Sequence, residues 1–165
     1  MSGLEEEFNN DSANAQDQYL LFITGGELYA IEALKAQEIV GYDEITKVPM
    51  MNSFIKGVTN IRGNITPVVD LKDRFGLGKT TIADKTSIIV VNCKNDDMMM
   101  QIGIMIDEVY EVDYITSENL REAPEFGSKV EVRYIQNMGK YCNEYIPILN
   151  TDTILNIDEL SELFV

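Results

Sequence analysis

The segment NIRGNITPVVDLKDRFGL, residues 60–77, gathers several polar side chains that could do chemistry. Asp70 and Asp73 lie three residues apart, so on a helix they would share a face and could act as an acid–base pair. Helix capping by Asp70 and solvation of Asp73 explain the same residues without catalysis, and we favour that interpretation. GLGKTT, residues 76–81, resembles the end of a phosphate-binding loop, but it lacks the first glycine and follows a predicted helix rather than a strand.

The rest of the chain offers little catalytic chemistry. The sequence contains no histidine, which excludes Ser-His-Asp triads, Cys-His pairs and HExxH zinc sites. Asp96 and Asp97 lack the alternating ligand pattern of an EF-hand. Cys93 and Cys142 lie in different strand-like segments, where we expect both to be buried small residues in a reducing compartment. We therefore expect no enzyme, no cofactor and no metal, with a carboxylate-dependent hydrolase as the remaining enzymatic alternative.

The charge balance limits the partners. The chain of 165 residues has 28 acidic and 13 basic residues, giving a net charge of −15. The electrostatic field of this negative charge repels nucleic acid and anionic membrane surfaces. No stretch approaches the roughly 20 apolar residues of a membrane span, and the acidic N-terminus does not resemble a signal peptide. We expect a cytoplasmic protein with no direct membrane insertion.

The elements that must position any site are mainly strands. Residues 1–17 are acidic and poor in apolar residues, which predicts a disordered tail. Beyond them, short apolar runs are separated by the hairpin-type dipeptides Gly25-Gly26 and Gly63-Asn64. A short helix is predicted from an Asp70 cap to a stop at Gly76, and a C-terminal helix over about 151–162.

The two halves of the chain repeat one order of elements. Each half has an opening hairpin, a third strand, a closing hairpin whose second strand carries proline, and a short helix. This repetition predicts a mainly β domain over residues 18–165 with two small barrels of about five strands each. We expect the first barrel to span about 19–80 and the second about 85–150.

Four segments carry a family resemblance. They are FIKGVTNIRGNITPVVDLKDRFGL, YAIEALKAQEIVGYDEITKVP, LREAPEF and YIPILNTDTIL, at 54–77, 29–49, 120–126 and 145–155. Together they resemble the CheW family of bacterial chemotaxis coupling proteins, and the likeness runs from residue 19 to the C-terminus. It implies two intertwined five-stranded SH3-like barrels and a non-catalytic adaptor. It also implies that the adaptor couples the cytoplasmic tips of chemoreceptors, the methyl-accepting chemotaxis proteins, to the regulatory domain of the histidine kinase CheA.

The resemblance also implies a receptor-binding set. Gly57 would let a receptor helix approach closely, because glycine has no side chain. Val58, Asn60 and Arg62 would alternate onto one strand face, with Arg62 offering forked hydrogen bonds. An ordinary core would equally explain the apolar members, and a solvated hairpin charge would explain Arg62. The family typically has a larger β-branched residue at the position of Ala36, which implies that the receptor groove is shallower at that edge. The full set is Glu38, Ile39, Ile55, Gly57, Val58, Asn60 and Arg62.

Two kinase-binding surfaces are implied as well. One is an apolar barrel end with Tyr42, Ile45 and Val48, although these side chains could equally be buried. The other is the loop with Arg121 and Phe126, where a Phe folded over its own barrel is the alternative. We expect recruitment to membrane-associated receptor arrays and a monomer in isolation. An adaptor of another sensory kinase pathway is the alternative function.

Overall fold

A computed structural model describes residues 17–95, 98–125 and 127–156, and these ranges form eleven strands in two sheets. The strands are β1 Gln18–Thr24, β2 Glu27–Glu32, β3 Ala36–Gly41, β4 Ile55–Ile61, β5 Asn64–Asp70, β6 Ser87–Asn95, β7 Met98–Ile106, β8 Glu108–Tyr114, β9 Leu120–Arg121, β10 Ile135–Tyr141 and β11 Glu144–Leu149. The short α-helices are α1 Leu71–Arg74 and α2 Thr151–Ile154, and single 3₁₀ turns span Ala33–Lys35, Ser117–Asn119 and Val132–Tyr134. The predicted mainly β fold is therefore confirmed.

The two sheets exchange strands between the halves of the chain. One sheet has the order β8-β1-β2-β11-β10-β9 and the other β3-β6-β7-β5-β4. The opening hairpin of each half pairs in parallel with the closing hairpin of the other half, β2 with β11 and β7 with β5. This exchange explains why the two barrels are intertwined.

The expected barrel boundaries, 19–80 and 85–150, do not match this pairing. The five-stranded sheet runs continuously through residues 36–106, whereas the six-stranded sheet combines 18–32 with 108–149. The repeated element order identifies two similar halves, but side-chain alternation does not say which edge a hairpin will join. The barrel boundaries themselves stay a prediction. The sixth strand of the six-stranded sheet is the two-residue β9.

Three apolar clusters fill the space that this arrangement creates. Tyr19, Leu21 and Ile148 belong to a cluster inside the six-stranded barrel, and Val68 and Met105 to one inside the five-stranded barrel. The largest cluster draws on strands of both sheets and lies between them. Its members are Leu20, Phe22, Tyr29, Ile31, Ile55, Val69, Leu71, Phe75, Ile89, Val91, Cys93, Ile102, Ile104, Ile106, Val130, Tyr134, Ile135, Leu149, Ile154 and Leu155. Because this shared core has contributions from both sheets, neither barrel is an independent module.

The predicted first helix is present with its caps. The Asp73 amide donates to the Asp70 carboxylate at 3.5 Å, and Gly76 ends the helix with a φ of +76°. Asp70 also accepts from the Thr80 amide at 2.9 Å and from the Thr80 hydroxyl at 2.6 Å. One buried carboxylate therefore both caps α1 and holds the loop that follows the helix.

The ends of the chain and the cysteines differ partly from expectation. Residues 1–16 of the predicted tail and residues 157–162 of the predicted C-terminal helix lie outside the described residues. In α2, the Asn150 side chain accepts from the Thr153 amide at 3.2 Å. Cys93 is buried as predicted, but Cys142 is exposed. Its position in the β10–β11 turn, with a φ of +49°, accounts for that exposure.

Candidate functional site

The candidate receptor residues gather where the two edge strands of the five-stranded sheet approach each other. β3 and β4 stand at opposite ends of the strand order, yet Arg62 Nε, just past β4, donates to the Glu38 carboxylate on β3 at 2.8 Å. The Arg62 side chain is 75% exposed and that of Glu38 only 20%. We call this region the β3–β4 seam and define it by its surface side chains, Glu38, Ile39, Val58, Asn60 and Arg62.

Arg62 occupies a turn rather than a strand position. Ile61 pairs with Asn64, so the hairpin loop consists of Arg62 and Gly63, with φ angles of +51° and +82°. Two central residues with positive φ are typical of a type I′ turn. The Asn60 side chain accepts from the Gly63 amide at 2.9 Å and supports this turn. The expected Gly63-Asn64 turn was thus one residue off, and Arg62 does not share a strand face with Asn60.

Gly57 is approached by the protein's own backbone. Its φ is +150°, and a Cβ at this position would overlap the carbonyl oxygen of Thr46 and lie 2.8 Å from Ile45 Cγ2. Thr46 and Val58 exchange backbone hydrogen bonds of 2.8 and 2.9 Å, which attach the β3–β4 loop to the edge of β4. The close approach anticipated for a receptor helix is therefore already made within the chain.

The apolar members of the receptor set divide between surface and core. Ile39 is 42% exposed and Val58 is half-buried, so both present apolar surface at the seam. Ile55 is 7% exposed and belongs to the shared core. For Ile55 the ordinary core explanation holds, and for Gly57 the internal contact replaces a partner contact in this structure.

The candidate kinase residues fall in two separate places. Tyr42 and Ile45 pack, half-buried, against the core of the five-stranded barrel. Val48 lines a cleft of mixed polar and apolar residues further along the same loop. Arg121 is exposed on β9, the outer strand of the other sheet, and donates to the carbonyls of Glu118 and Leu120 at 2.9 and 2.8 Å. Phe126, the remaining candidate, lies outside the described residues.

Comparisons with known proteins identify the family. A family model described as CheW-like domain matches residues 18–159. The chain belongs to the CheW-like family. It is 32% identical over 161 residues to the chemotaxis protein CheW of Klebsiella aerogenes, covering 98% of this chain and 95% of that protein. It is 29% identical over 140 residues to the Bacillus subtilis chemotaxis protein CheW, covering 85% and 87%.

A solved structure agrees with the sequence relatives. The crystal structure of the scaffolding protein TtCheW from Thermoanaerobacter tengcongensis superposes with a TM-score of 0.73 at 30% identity, covering 82% of this chain and 84% of that one. The chain is thus a non-catalytic scaffolding protein of the CheW family. No helix among the described residues is long and apolar enough to cross a bilayer.

Burial raises the pKa of two groups in the shared core of this CheW-like chain, the Cys93 thiol and the Tyr29 hydroxyl. Burial raises the pKa of the Cys93 thiol to about 11, with a smaller contribution from Asp152. Burial likewise raises the pKa of Tyr29 to about 12, with a smaller contribution from Glu27. Both shifts move the group away from an ionised, reactive form near neutral pH.

One further candidate at the seam was missed from the sequence. Ile65 lies directly across the hairpin from Asn60 and is 69% exposed, whereas its neighbour Thr66 is fully buried. Thr66 is satisfied inside, because its hydroxyl donates to the Asn64 carbonyl at 3.0 Å and accepts from Gln101 Nε2 at 2.7 Å. The exposures of Ile65 and Thr66 are the reverse of the usual preference, because the isoleucine faces solvent and the threonine faces the interior.

Proposed function

We propose that the chain couples the cytoplasmic tips of chemoreceptors to the regulatory domain of CheA, with the β3–β4 seam as the receptor-binding face. The Arg62–Glu38 pair at the seam is the observation that carries this proposal. It places an exposed guanidinium at the turn of the β4–β5 hairpin, which carries Val58 and the exposed Ile65, and Ile39 is exposed on β3 next to Glu38. That combination fits a helical receptor tip, which offers apolar ridges between carboxylates and exposed carbonyls.

The kinase contacts in this proposal lie in the β3–β4 loop, which borders the seam, and on the other sheet. Tyr42, Ile45 and Val48 supply a partly buried apolar face on the five-stranded barrel, and Arg121 with Phe126 supplies a contact at the other barrel. Two different faces on one adaptor permit closed alternating assemblies with kinase barrels. In this arrangement the adaptor transmits receptor state by differential contacts rather than by chemistry. Receptor binding then brings the chain, a monomer in isolation, to membrane-associated arrays.

Receptor-tip binding by Arg62→Glu tests the seam. We expect about tenfold weaker binding, since reversing an interfacial charge replaces attraction by repulsion. Lys85→Glu is the matched control, because Lys85 is 79% exposed and pairs with Glu108 at 3.5 Å, as an ordinary surface pair. Its binding should equal that of the unmodified chain.

A charge swap separates receptor contact from barrel closure. Glu38→Arg combined with Arg62→Glu restores an ion pair across the seam but presents the opposite charge pattern to a partner. If the pair only closes the barrel, the swap rescues binding. If it contacts the receptor, the swap binds as weakly as Arg62→Glu, and this is the result we expect.

A further inference from the structure

A polar side chain of β7 contacts the turn that carries Arg62. Gln101 is half-buried, and its Nε2 donates to the Thr66 hydroxyl at 2.7 Å and to the Ile61 carbonyl at 3.3 Å. The Thr66 hydroxyl donates in turn to the Asn64 carbonyl at 3.0 Å. One amide nitrogen carries two hydrogens, so Gln101 can make both of its hydrogen bonds at the same time.

These hydrogen bonds reach both ends of the turn. Ile61 and Asn64 are the paired residues that close the two-residue loop of the β4–β5 hairpin. The Asn60 side chain accepts from the Gly63 amide at 2.9 Å and supports the loop from within the hairpin. Gln101 supports it from a different strand pair, at the residues that flank the loop.

The contact lies beyond the backbone pairing of β5 with β7. The parallel ladder between these strands begins at Val68 and Gly103, which are 35 residues apart. Thr66 and Gln101 have the same separation of 35 residues, so they lie level with each other on the turn side of that ladder. Because a two-stranded hairpin is only marginally stable by itself, a side-chain contact at this level influences where the turn lies.

The two side chains lie at one end of the interior of the five-stranded barrel. Side chains alternate along a strand, so Gln101 faces the same side as Met105, and Thr66 the same side as Val68. Met105 and Val68 belong to the apolar cluster inside this barrel, and Thr66 is fully buried. Two apolar side chains of similar shape would fill this space at nearly the same stability. The polar pair adds direction instead, because its hydrogen bonds select one arrangement.

We propose that Gln101 is a positioning residue for receptor binding, which holds the β4–β5 turn so that Arg62 lies at the seam. The Arg62 side chain is 75% exposed, and its Nε donates to the Glu38 carboxylate at 2.8 Å. The turn is thus held from β7 and the guanidinium from β3 before a receptor tip binds. Such preorganisation lowers the entropic cost of binding. The inference rests on the proposed function and adds to it a residue that acts through Arg62.

Hydrogen exchange tests the turn without any receptor. Gln101→Met removes both donors at a similar side-chain length. We expect the Gly63 amide to exchange about fivefold faster, as the loss of about one net hydrogen bond implies, while the Ile104 amide in the middle of β7 is unchanged. Gln136→Met is the matched control, because Gln136 is exposed on β10 and donates to Glu32 at 3.2 Å. It should leave the exchange of Gly63 unaltered.

A double variant separates positioning from stability. Gln101→Met combined with Thr66→Val should keep the urea midpoint of the unmodified chain, because both partners become apolar groups of similar shape. Its binding to receptor tips should nevertheless be about fivefold weaker. Thr66→Val alone removes one of the two hydrogen bonds of Gln101 and should weaken binding about twofold. This single variant carries the test if Gln101→Met does not fold.

A double-mutant cycle shows whether Gln101 acts through Arg62. In a chain that carries Arg62→Glu, Gln101→Met should cause no further loss of receptor-tip binding, because the guanidinium that it positions is absent. An equal loss in both backgrounds would mean that Gln101 acts independently of Arg62, and the proposal would be overturned.

Three other results would contradict the proposal. Unchanged exchange of Gly63 in Gln101→Met would mean that the turn keeps its order without the contact. Faster exchange with normal receptor binding would limit Gln101 to a structural role. If Arg62→Glu itself binds receptor tips normally, the proposed function fails and the role of Gln101 in binding fails with it. The exchange rates distinguish that case, because they still show whether Gln101 holds the turn.

Discussion

Replacing the buried Gly57 with alanine should destabilise the protein more than the addition of a methyl group at any of the exposed loop or strand glycines. A Cβ at position 57 would overlap the Thr46 carbonyl oxygen and lie 2.8 Å from Ile45 Cγ2. Relief requires the loop to move, which breaks the two hydrogen bonds between Thr46 and Val58, each contributing about 0.5–1.5 kcal/mol. Backbone strain at a φ of +150° adds about 1–3 kcal/mol.

The sum is a loss of about 2–6 kcal/mol in the free energy of unfolding. At about 2–4 °C per kcal/mol for a chain of this size, a central value near 4 kcal/mol lowers Tm by about 8–16 °C. Urea unfolding followed by circular dichroism measures the free energy, and calorimetry measures Tm. A constant m-value would show that the change lies in the native state.

Two other glycines serve as matched controls. Gly63 has a φ of +82° but no neighbouring atom within 4 Å, so Gly63→Ala should show backbone strain alone, about 1–2 kcal/mol. Gly41 has open space and no positive φ, so Gly41→Ala should be neutral or slightly stabilising. If Gly57→Ala falls within about 0.5 kcal/mol of Gly63→Ala, a difference too small to assign to contacts, the internal packing explanation for Gly57 is refuted.

Four further outcomes concern Asp70, the two cysteines and Phe126. Asp70→Asn should lower stability by about 2–3 kcal/mol in urea unfolding, because Thr80 loses a charged acceptor, and an unchanged midpoint would contradict that role. The pKa of Cys93 is raised to about 11 from 9.0, so its contribution to stability is fully present below pH 9 and is lost as pH rises through 11. Thiol titration of the folded protein near pH 8 should modify Cys142 and leave Cys93 protected, and equal labelling rates would argue against this. Phe126→Ser should leave receptor-tip binding intact but weaken array order in cell tomograms, and normal arrays would assign Phe126 a structural role only.

Helix ends and hairpin turns were predictable from the sequence wherever a single residue determines the local backbone. Asp70 caps α1 and Gly76 ends it because each type suits its backbone position. Gly25 and Gly26 form the first hairpin turn with φ angles of +60° and +79°, as a two-residue loop requires. The family resemblance extended this local reading to the whole chain, and the family model confirmed it.

Features that depend on distant partners were less predictable. The exchange of hairpins between the halves depends on the β2–β11 and β5–β7 pairings, which join segments far apart in sequence. The turn at Arg62 was misplaced because Gly63 fits either of two neighbouring two-residue loops, and only the Asn60 hydrogen bond selects one. Gly57 was read as open space for a partner because no sequence pattern shows that Thr46 lies against it.

The central claim is that this chain couples receptor state to kinase activity through the β3–β4 seam. Autophosphorylation of CheA, reconstituted with chemoreceptor tips and with or without the chain, tests it most directly. The account predicts strong activation that requires the chain and that falls about tenfold with Arg62→Glu, which loses about 1.4 kcal/mol of coupling, while Lys85→Glu activates fully. Equal kinase activity with and without the chain, or full activation by Arg62→Glu, would contradict it.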